Sequence, residues 1–485
     1  MAVCCLLERS ALRSPGRVCV THGDRSYTYR EVNELSDRFA VVLQQLGCRK
    51  GDRILIAMDN CPAYIVAFFA VLKLGAVVVP LPVRLAGPEV RALVMRCTPL
   101  MAVVNPGCAA SFLEGILTVE LELDRIPVQT LKRSSCPRGD ETAALFFTSG
   151  TSSAPKGVLL THRNLEANAE SICSYLNLTA SDSVMAVLPF GYAYGNSVLT
   201  SHIRSCSRLV IEESFLYPAY TLRRIDEEKV TGFSGVPSHY LMMRSCIGGH
   251  KLRSLRYFTL AGGGLPREII EEYVVSFPHA RFFVMYGQTE ATARLSCLAP
   301  HLVLKKRGCI GKAVPGVSLQ VLNRDGEPVK PGEVGEITAR GPNIMAGYLD
   351  DPEGTGEVLR NHRLFTGDLA TVDAEGFIYF IGRKKEIIKS GAFRISPEEI
   401  EETVMMIPGV EECAAVAVPD RLLNEAVMVF VASSDPSLTE ESVVRFCRER
   451  LSPYKVPRSV EFTSCFPRTV TGKIQRSKLS PKGNP

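Results

Sequence analysis

Short runs of consecutive apolar residues alternate with longer helix-like stretches in the first part of the chain, and no other feature restricts the fold as tightly. Arg53 to Met58 (RILIAM) reads as a buried strand, Tyr64 to Leu74 as an apolar helix closed by Gly75, and Val77 to Pro82 (VVVPLP) as the next strand. Apolar strands joined through helices imply parallel sheets with helices on their faces. The chain has 485 residues, more than one hydrophobic core of ~250–300 residues sustains, so an α/β fold with a second, smaller unit is expected.

The clearest change of character comes near residue 385. Before it, residues 132–140 (KRSSCPRGD) read as a polar loop leading into an apolar strand, Ala143 to Phe147, and Gly332 to Ile381 is a run of strands and glycine-rich turns. After it the pattern is α+β. Ser396-Pro397-Glu398-Glu399 is the signature of a capping box with proline at the first helical position, and Ile400, Val404 and Ile407 share one helical face. Two strands, Cys413 to Val418 and Val427 to Ala432, and a helix, Glu440 to Leu451, follow. The division expected is a large domain of helix-covered sheets at 1–384 and a smaller α+β lid domain at 385–485.

Composition excludes several function classes. Hydrophobic residues make up 46% and charged residues 22%, the balance of an ordinary globular protein, and a net charge of +5 without a block of Lys and Arg argues against nucleic acid. Sixteen cysteines form no CxxC pair, and the eight histidines lie near none of them at metal-ligand spacing, so reduced, mostly buried thiols of a cytoplasmic protein are expected. The apolar start MAVCCLL meets Glu8 and Arg9 too soon for a signal peptide or a membrane span, and no transmembrane segment is expected.

Several segments carry chemistry. In Thr148 to Gly157 (TSGTSSAPKG), small hydroxylated residues and glycine leave backbone N–H groups free to surround phosphate oxygens, and Lys156 adds charge; the plain alternative is a serine-rich surface turn. The loop follows the Ala143 to Phe147 run and precedes a helix expected from about Thr161. It is no Walker A loop, because Lys156 is followed by Gly157 instead of serine or threonine. Ala261 to Pro266 (AGGGLP) lets a flat ring lie on the backbone of Gly262, Gly263 and Gly264, or else forms a tight turn. Tyr286-Gly287-Gln288-Thr289-Glu290 offers an aromatic face for a base, a hydroxyl for a phosphate and a carboxylate for a hard cation. Asp368 and Arg383 suit ribose hydroxyls and phosphate, or else a structural salt bridge.

In this order, and over nearly the whole chain, these segments resemble those of the adenylate-forming (AMP-binding) enzymes, which include acyl-CoA and aryl-CoA ligases, adenylation domains of nonribosomal peptide synthesis and beetle luciferase. The loop matches TSGTTGxPKG with Ser153 where the second internal glycine stands, and residues 286–290 match YGxTE. The resemblance implies that Thr148, Ser149, Gly150, Thr151 and Lys156 bind phosphate, and that Gly262, Gly263 and Gly264 line the adenine and acyl pockets. It further implies that Tyr286, next to Gly287, stacks on adenine, Thr289 contacts the α-phosphate, Glu290 helps hold Mg²⁺, and Asp368 and Arg383 take the ribose. Pro467 to Lys473 (PRTVTGK) resembles the family's final motif, in which the lysine, here Lys473, enters the active site during adenylation. Arg383 to Arg394 (RKKEIIKSGAFR) resembles the interdomain segment, with Lys385 at the hinge and Ala392 where the family often has a second glycine.

The implied reaction is ATP- and Mg²⁺-dependent activation of a small carboxylic acid as acyl-AMP, with release of pyrophosphate and transfer to the thiol of coenzyme A. A phosphopantetheine arm on an acyl carrier protein is the alternative acceptor, an amine a more distant one, and a non-catalytic ATP-binding protein of the same fold the alternative of another class. Leu188 to Gly195 (LPFGYAYG) aligns with a segment of the acid pocket in which amino-acid adenylation domains carry an aromatic-Asp pair; here Tyr192 and Ala193 stand there. Without a carboxylate nothing pairs with an α-ammonium, so an amino acid is not the expected substrate. Tyr192, Tyr194 and Asn196 either hydrogen-bond a substrate or are core residues with satisfied polar groups.

Overall fold

The structure, a computed structural model, describes residues 2–81, 87–107, 113, 115–131, 136–148, 155–384, 386–390, 393–420, 423–468 and 474–479. The expected apolar alternation is there. The Arg53–Ala57 strand is followed by the wholly buried Pro62–Lys73 helix and the Val77–Pro80 strand. Gly75 turns the chain between the latter two with φ +70°, a conformation that costs glycine little.

Two large sheets dominate. One runs, from edge to edge, through Gly347–Tyr348, Lys156–Thr161, Thr142–Thr148, Val77–Pro80, Arg53–Ala57, Met101–Val104 and Leu117–Glu120. The other carries a parallel run of Val18–His22, Arg208–Ile211, Ser183–Ala186, Gly232–Gly235, Tyr257–Leu260 and Arg281–Tyr286, then continues antiparallel through Ser296–Leu298, Cys309–Ala313, Ile378–Arg383, Arg363–Val372, Gly335–Arg340 and Ser318–Leu322. Helices such as Pro62–Lys73 and Ala193–Arg204 pack against these sheets, and their apolar residues join one continuous core.

The phosphate-type loop differs from the expected strand–loop–helix. Thr142–Thr148 pairs antiparallel with Lys156–Thr161, so the loop closes a hairpin, and the His162–Leu176 helix starts only after that second strand. The short apolar run Val158 to Leu160 is strand because it pairs between Thr142–Thr148 and Gly347–Tyr348, a non-local reason invisible in the run itself. Thr161 then caps the helix reciprocally with Asn164.

The third sheet is built from Phe393–Ile395, Ile388–Ser390, Asn424–Ser433 and Val410–Asp420, with Ser459–Phe462 added parallel to Asn424–Ser433, a strand the sequence reading passed over. Ile400, Val404 and Ile407 are buried against one of its faces, with Val427, Val429, Val431 and Val443. The capping box at Ser396 does not form. Its hydroxyl donates to Glu398 Oε2 at 2.9 Å instead of accepting from the helix backbone, and the Pro397–Val404 helix has no side-chain cap. The Thr439 side chain does cap the Glu440–Arg448 helix. The molecule is thus α/β, a large body of helix-covered sheets followed by a smaller α+β unit.

Candidate active site

Parallel strands end at one edge of the second sheet, and the residues that follow them form the site, as is usual for open α/β sheets. Val236, Ala261 to Gly264 and Gly287 to Glu290 follow the Gly232–Gly235, Tyr257–Leu260 and Arg281–Tyr286 strands at that edge, where Tyr286 is the last strand residue. Gly262 takes φ +87°, and Gly262, Gly263 and Gly264 are exposed. A Cβ at Gly264 would come 3.3 Å from Glu402 Oε1 of the Pro397–Val404 helix, so this turn faces the smaller unit.

Tyr286, Asp368 and Arg383 form one cluster, joined by a hydrogen bond and an ion pair. The Tyr286 hydroxyl donates to Asp368 Oδ2 at 2.6 Å, and Arg383 Nε lies 3.0 Å from Asp368 Oδ1. Asp368 and Arg383 face each other across an antiparallel strand pair, which sets the contact by register. The Asp368 backbone N–H donates to Thr366 Oγ1 at 3.1 Å, and the Lys384 N–H donates to the Gly367 carbonyl at 2.8 Å. Burial and then the Asp368 charge hold the Tyr286 phenol well above its usual range, so it stays a donor.

A second group lies alongside. Glu290 Oε1 accepts from the Tyr348 hydroxyl at 2.8 Å, Lys156 Nζ stands 4.6 Å from the Tyr348 ring centroid, and Lys156 also approaches Asp351 Oδ2 at 3.7 Å. The two groups sense each other: Arg383 feels the charges of both Asp368 and Glu290. Thr148 joins Lys156 at the base of the hairpin, its hydroxyl 3.4 Å from the Lys156 carbonyl. Thr289 opens a short 3-10 turn, and its hydroxyl takes no hydrogen-bond partner among the described residues. Ser149, Gly150, Thr151, Lys385, Gly391, Ala392 and Lys473 lie outside the described residues.

Residues 7–349 match the family model described as AMP-binding enzyme, and residues 399–473 match the AMP-binding enzyme C-terminal domain. The chain belongs to the AMP-binding enzyme family. Among similar proteins of this family, a feruloyl-CoA synthase of Amycolatopsis sp is 34% identical over 97% of this chain and 97% of its own. A long-chain-fatty-acid–CoA ligase of Escherichia coli O157:H7 is 32% identical over 98% of this chain and 93% of its own. The solved o-succinylbenzoate CoA synthetase of Bacillus subtilis, in complex with its acyl-adenylate intermediate, superposes with a TM-score of 0.91 at 27% identity, covering 99% of both chains. The same enzyme in complex with ATP and magnesium ion gives 0.89.

Behind these residues the AMP-binding enzyme holds one that motif reading missed. Tyr194, in the Ala193–Arg204 helix, is a core residue with its polar group satisfied: its hydroxyl meets Thr259 Oγ1 at 3.0 Å and the Thr259 carbonyl at 3.1 Å. Over its ring, 4.1 Å from the centroid, lies the guanidinium of Arg294. Arg294 is only 3% exposed and comes four residues after Glu290. A basic residue interrupting the run Ala291 to Leu298 was the available signal. Tyr192 precedes the helix as its N-cap and Ala193 opens it, but the crevice under Arg294 is lined by neither of them, nor by Gly264.

Proposed function

We propose that this enzyme is an acid–thiol ligase that converts a carboxylic acid and ATP into acyl-AMP and pyrophosphate, then moves the acyl group to the thiol of coenzyme A. The observation that carries this reading is the Tyr286–Asp368–Arg383 cluster set next to Glu290, Tyr348 and Lys156 at a strand-end edge. The names of the relatives, CoA synthases and ligases that align over nearly their whole length, support it.

On the nucleoside side, the Asp368 carboxylate accepts from ribose hydroxyls, Arg383 offers its donor fork, and Tyr286 stacks on adenine above the exposed backbone of Gly262 and Gly263. On the phosphate side, Lys156 with Thr148, Ser149, Gly150 and Thr151 holds phosphate oxygens, and the unengaged Thr289 hydroxyl donates to the α-phosphate. Magnesium bound with ATP would supply Lewis-acid stabilisation of the phosphate charge. Glu290 would be its protein ligand, and one carboxylate fits an ion that keeps waters and substrate phosphates, since the described residues hold no cluster of three or more His, Cys, Asp or Glu for a metal.

Lys473 puts an ammonium where negative charge develops as the acid's carboxylate oxygen bonds to the α-phosphorus and the bond to pyrophosphate breaks. In the second half-reaction the thiol sulfur attacks the acyl carbon, its proton passes to solvent, and AMP leaves. We assign residues 1–384 to the ATP- and acid-binding domain and 385–485 to a lid turning at Lys385 between the two steps. Fifteen described cysteines, all free, suit a reducing cytoplasm, and no helix among the described residues is long and apolar enough to cross a membrane.

The test is ATP–pyrophosphate exchange over a panel of fatty, aryl, hydroxy, amino and dicarboxylic acids, followed by thioester formation with coenzyme A. Acid-dependent exchange with AMP as product is expected; ADP, or exchange indifferent to every acid, defeats the reading. Glu290→Gln should move the magnesium titration to higher concentration, and superimposed curves would put Glu290 away from the metal.

A further inference from the structure

Arg294 is unlike the other sequestered arginines of this protein. Arg224 meets Glu212 at 3.3 Å, Arg256 meets Asp182 at 2.8 Å, and Arg476 meets Glu401 at 2.7 Å. Arg294 is buried to the same depth or deeper and has no carboxylate within ion-pair distance among the described residues. An Nη donates to the carbonyl of its own neighbour, Ala293, at 2.9 Å, and its buried Nε has no hydrogen-bond partner among the described residues. A desolvated cation without a counter-charge is normally removed from a protein or completed by a ligand.

The surroundings are built to hold it. Thr292 and Ala293 both take positive φ, +53° and +82°, which side chains disfavour, and the turn is pinned by Asn343, whose Nδ2 donates to the carbonyls of Ala291 and Arg294 at 3.0 and 2.7 Å. A Cβ at Gly287 would strike the Ala293 carbonyl, so only glycine in the 286–290 motif lets this turn approach. The guanidinium therefore sits one layer from the residues assigned to the nucleotide. It opens on a narrow crevice of about 10 Å³, room for one water, lined by Tyr175, Ser197, Ser234 and Thr259 and by no acidic residue among the described ones, so a bound carboxylate has to widen it. The ring of His202, also lining it, is held near pKa 4 by burial and stays neutral, so Arg294 supplies the crevice's positive charge.

We propose that the acid activated by this enzyme carries a second carboxylate, distal to the reacting one, and that Arg294 pairs with it, which makes Arg294 the specificity-determining residue of the acid pocket. This rests on the adenylation reading above. The far carboxylate would take the Arg294 Nε–H and an Nη–H as a bidentate pair, while the Tyr194 ring backs the guanidinium plane.

The experiment is acid-dependent pyrophosphate exchange with straight-chain and aryl dicarboxylic acids against monocarboxylic acids of the same length, for the natural chain, Arg294→Met and Arg294→Lys. The natural chain should favour the diacid of the best pair by ~10-fold or more in kcat/KM. Arg294→Met should lose ~10²-fold with the diacid and bring the ratio of diacid to monoacid to one or below, with Arg294→Lys between the two. Should Arg294→Met fail to fold, the ratio in Arg294→Lys and in the natural chain carries the decision. A natural chain that prefers monoacids, or a ratio unchanged by either variant, overturns the inference and leaves adenylation standing. Exchange with no acid at all defeats adenylation itself, and this inference with it.

Discussion

In the sheet body, those buried and half-buried arginines that pair with carboxylates meet one or two, as Arg256 does with Asp182 and Arg383 with Asp368, whereas in the C-terminal unit Arg476 gathers three. It reaches Glu386 Oε2 at 2.7 Å, Glu401 Oε2 at 2.7 Å and Glu398 Oε1 at 3.8 Å. The contrast follows from the cores. Strands of the body continue into one another, and apolar residues carry its order across helices such as Pro62–Lys73, buried along its whole length. The smaller unit has a thinner core, so its C-terminal stretch is held down by charge together with Ile474 and Leu479, which are partly buried.

That stretch flanks Lys473. Gln475 N–H donates to the Pro467 carbonyl at 2.7 Å, and Arg468 and Ile474 form an isolated antiparallel bridge, so the chain on both sides of residues 469–473 is tied down. The comparison teaches a division of labour. On the proposed reaction, the body would bind with groups set by strand register, and the smaller unit would contribute Lys473 from a segment tied down largely by charge.

The sharpest way to break that division is Lys473→Ala. Acyl-adenylate formation should slow by ~10²-fold or more while ATP binding to the body stays near its original strength, because only a donor aimed at developing charge is lost. An unchanged exchange rate would make Lys473 a solvated tail residue. Next comes Lys385→Pro, which locks φ near −65° and deletes an N–H at the assigned hinge. Single-turnover assays should show adenylation largely retained and acyl transfer reduced by ~10-fold or more. Equal loss of both half-reactions in folded protein would remove Lys385 as the hinge.

Arg476→Met tests the anchorage directly. Leaving partly screened carboxylates without their partner should destabilise the smaller unit by ~1–3 kcal/mol, and exchange should fall more than ATP binding does. A loss of ATP binding equal to the loss of exchange would mean that the knot serves the body instead.

The smallest effect separates the two regions by acid. All eight histidines precede residue 385, and burial holds the pKa of His162 and of His202 down at about 4, from 6.5. A depressed pKa means that the unfolded chain takes up protons first. Stability is therefore fully present above pH ~6.5 and is lost as pH falls towards ~4, at roughly 1 kcal/mol for each ring near pH ~5.5. A body whose urea midpoint stays flat between neutral pH and that point would show that the rings gain protons without cost.

Local sequence was enough for the alternation of Arg53 to Pro80, the apolar face of Ile400, Val404 and Ile407, and the motif order, because periodicity reports which side of an element leaves water and a motif reports residues adjacent along the chain. The α/β class, the adenylate-forming family and the candidate residues 286–290 were legible on those grounds. Missed at this level were the hairpin at Lys156–Thr161, the parallel Ser459–Phe462 strand and the failed cap at Ser396, each decided by which distant strand or charge came within reach. The same holds at the site. Tyr286 and Asp368 stand 82 residues apart, and only folding puts one hydrogen bond between them. Arg294 is the extreme case, since a charge is unremarkable in a sequence and becomes informative only when the fold excludes water from it and supplies no carboxylate in return among the described residues. Patterns along the chain thus determined the layers and the chemistry available, while the tertiary structure decided which polar groups would meet, because desolvation and ion pairing depend on everything packed around a group and not on its neighbours in sequence.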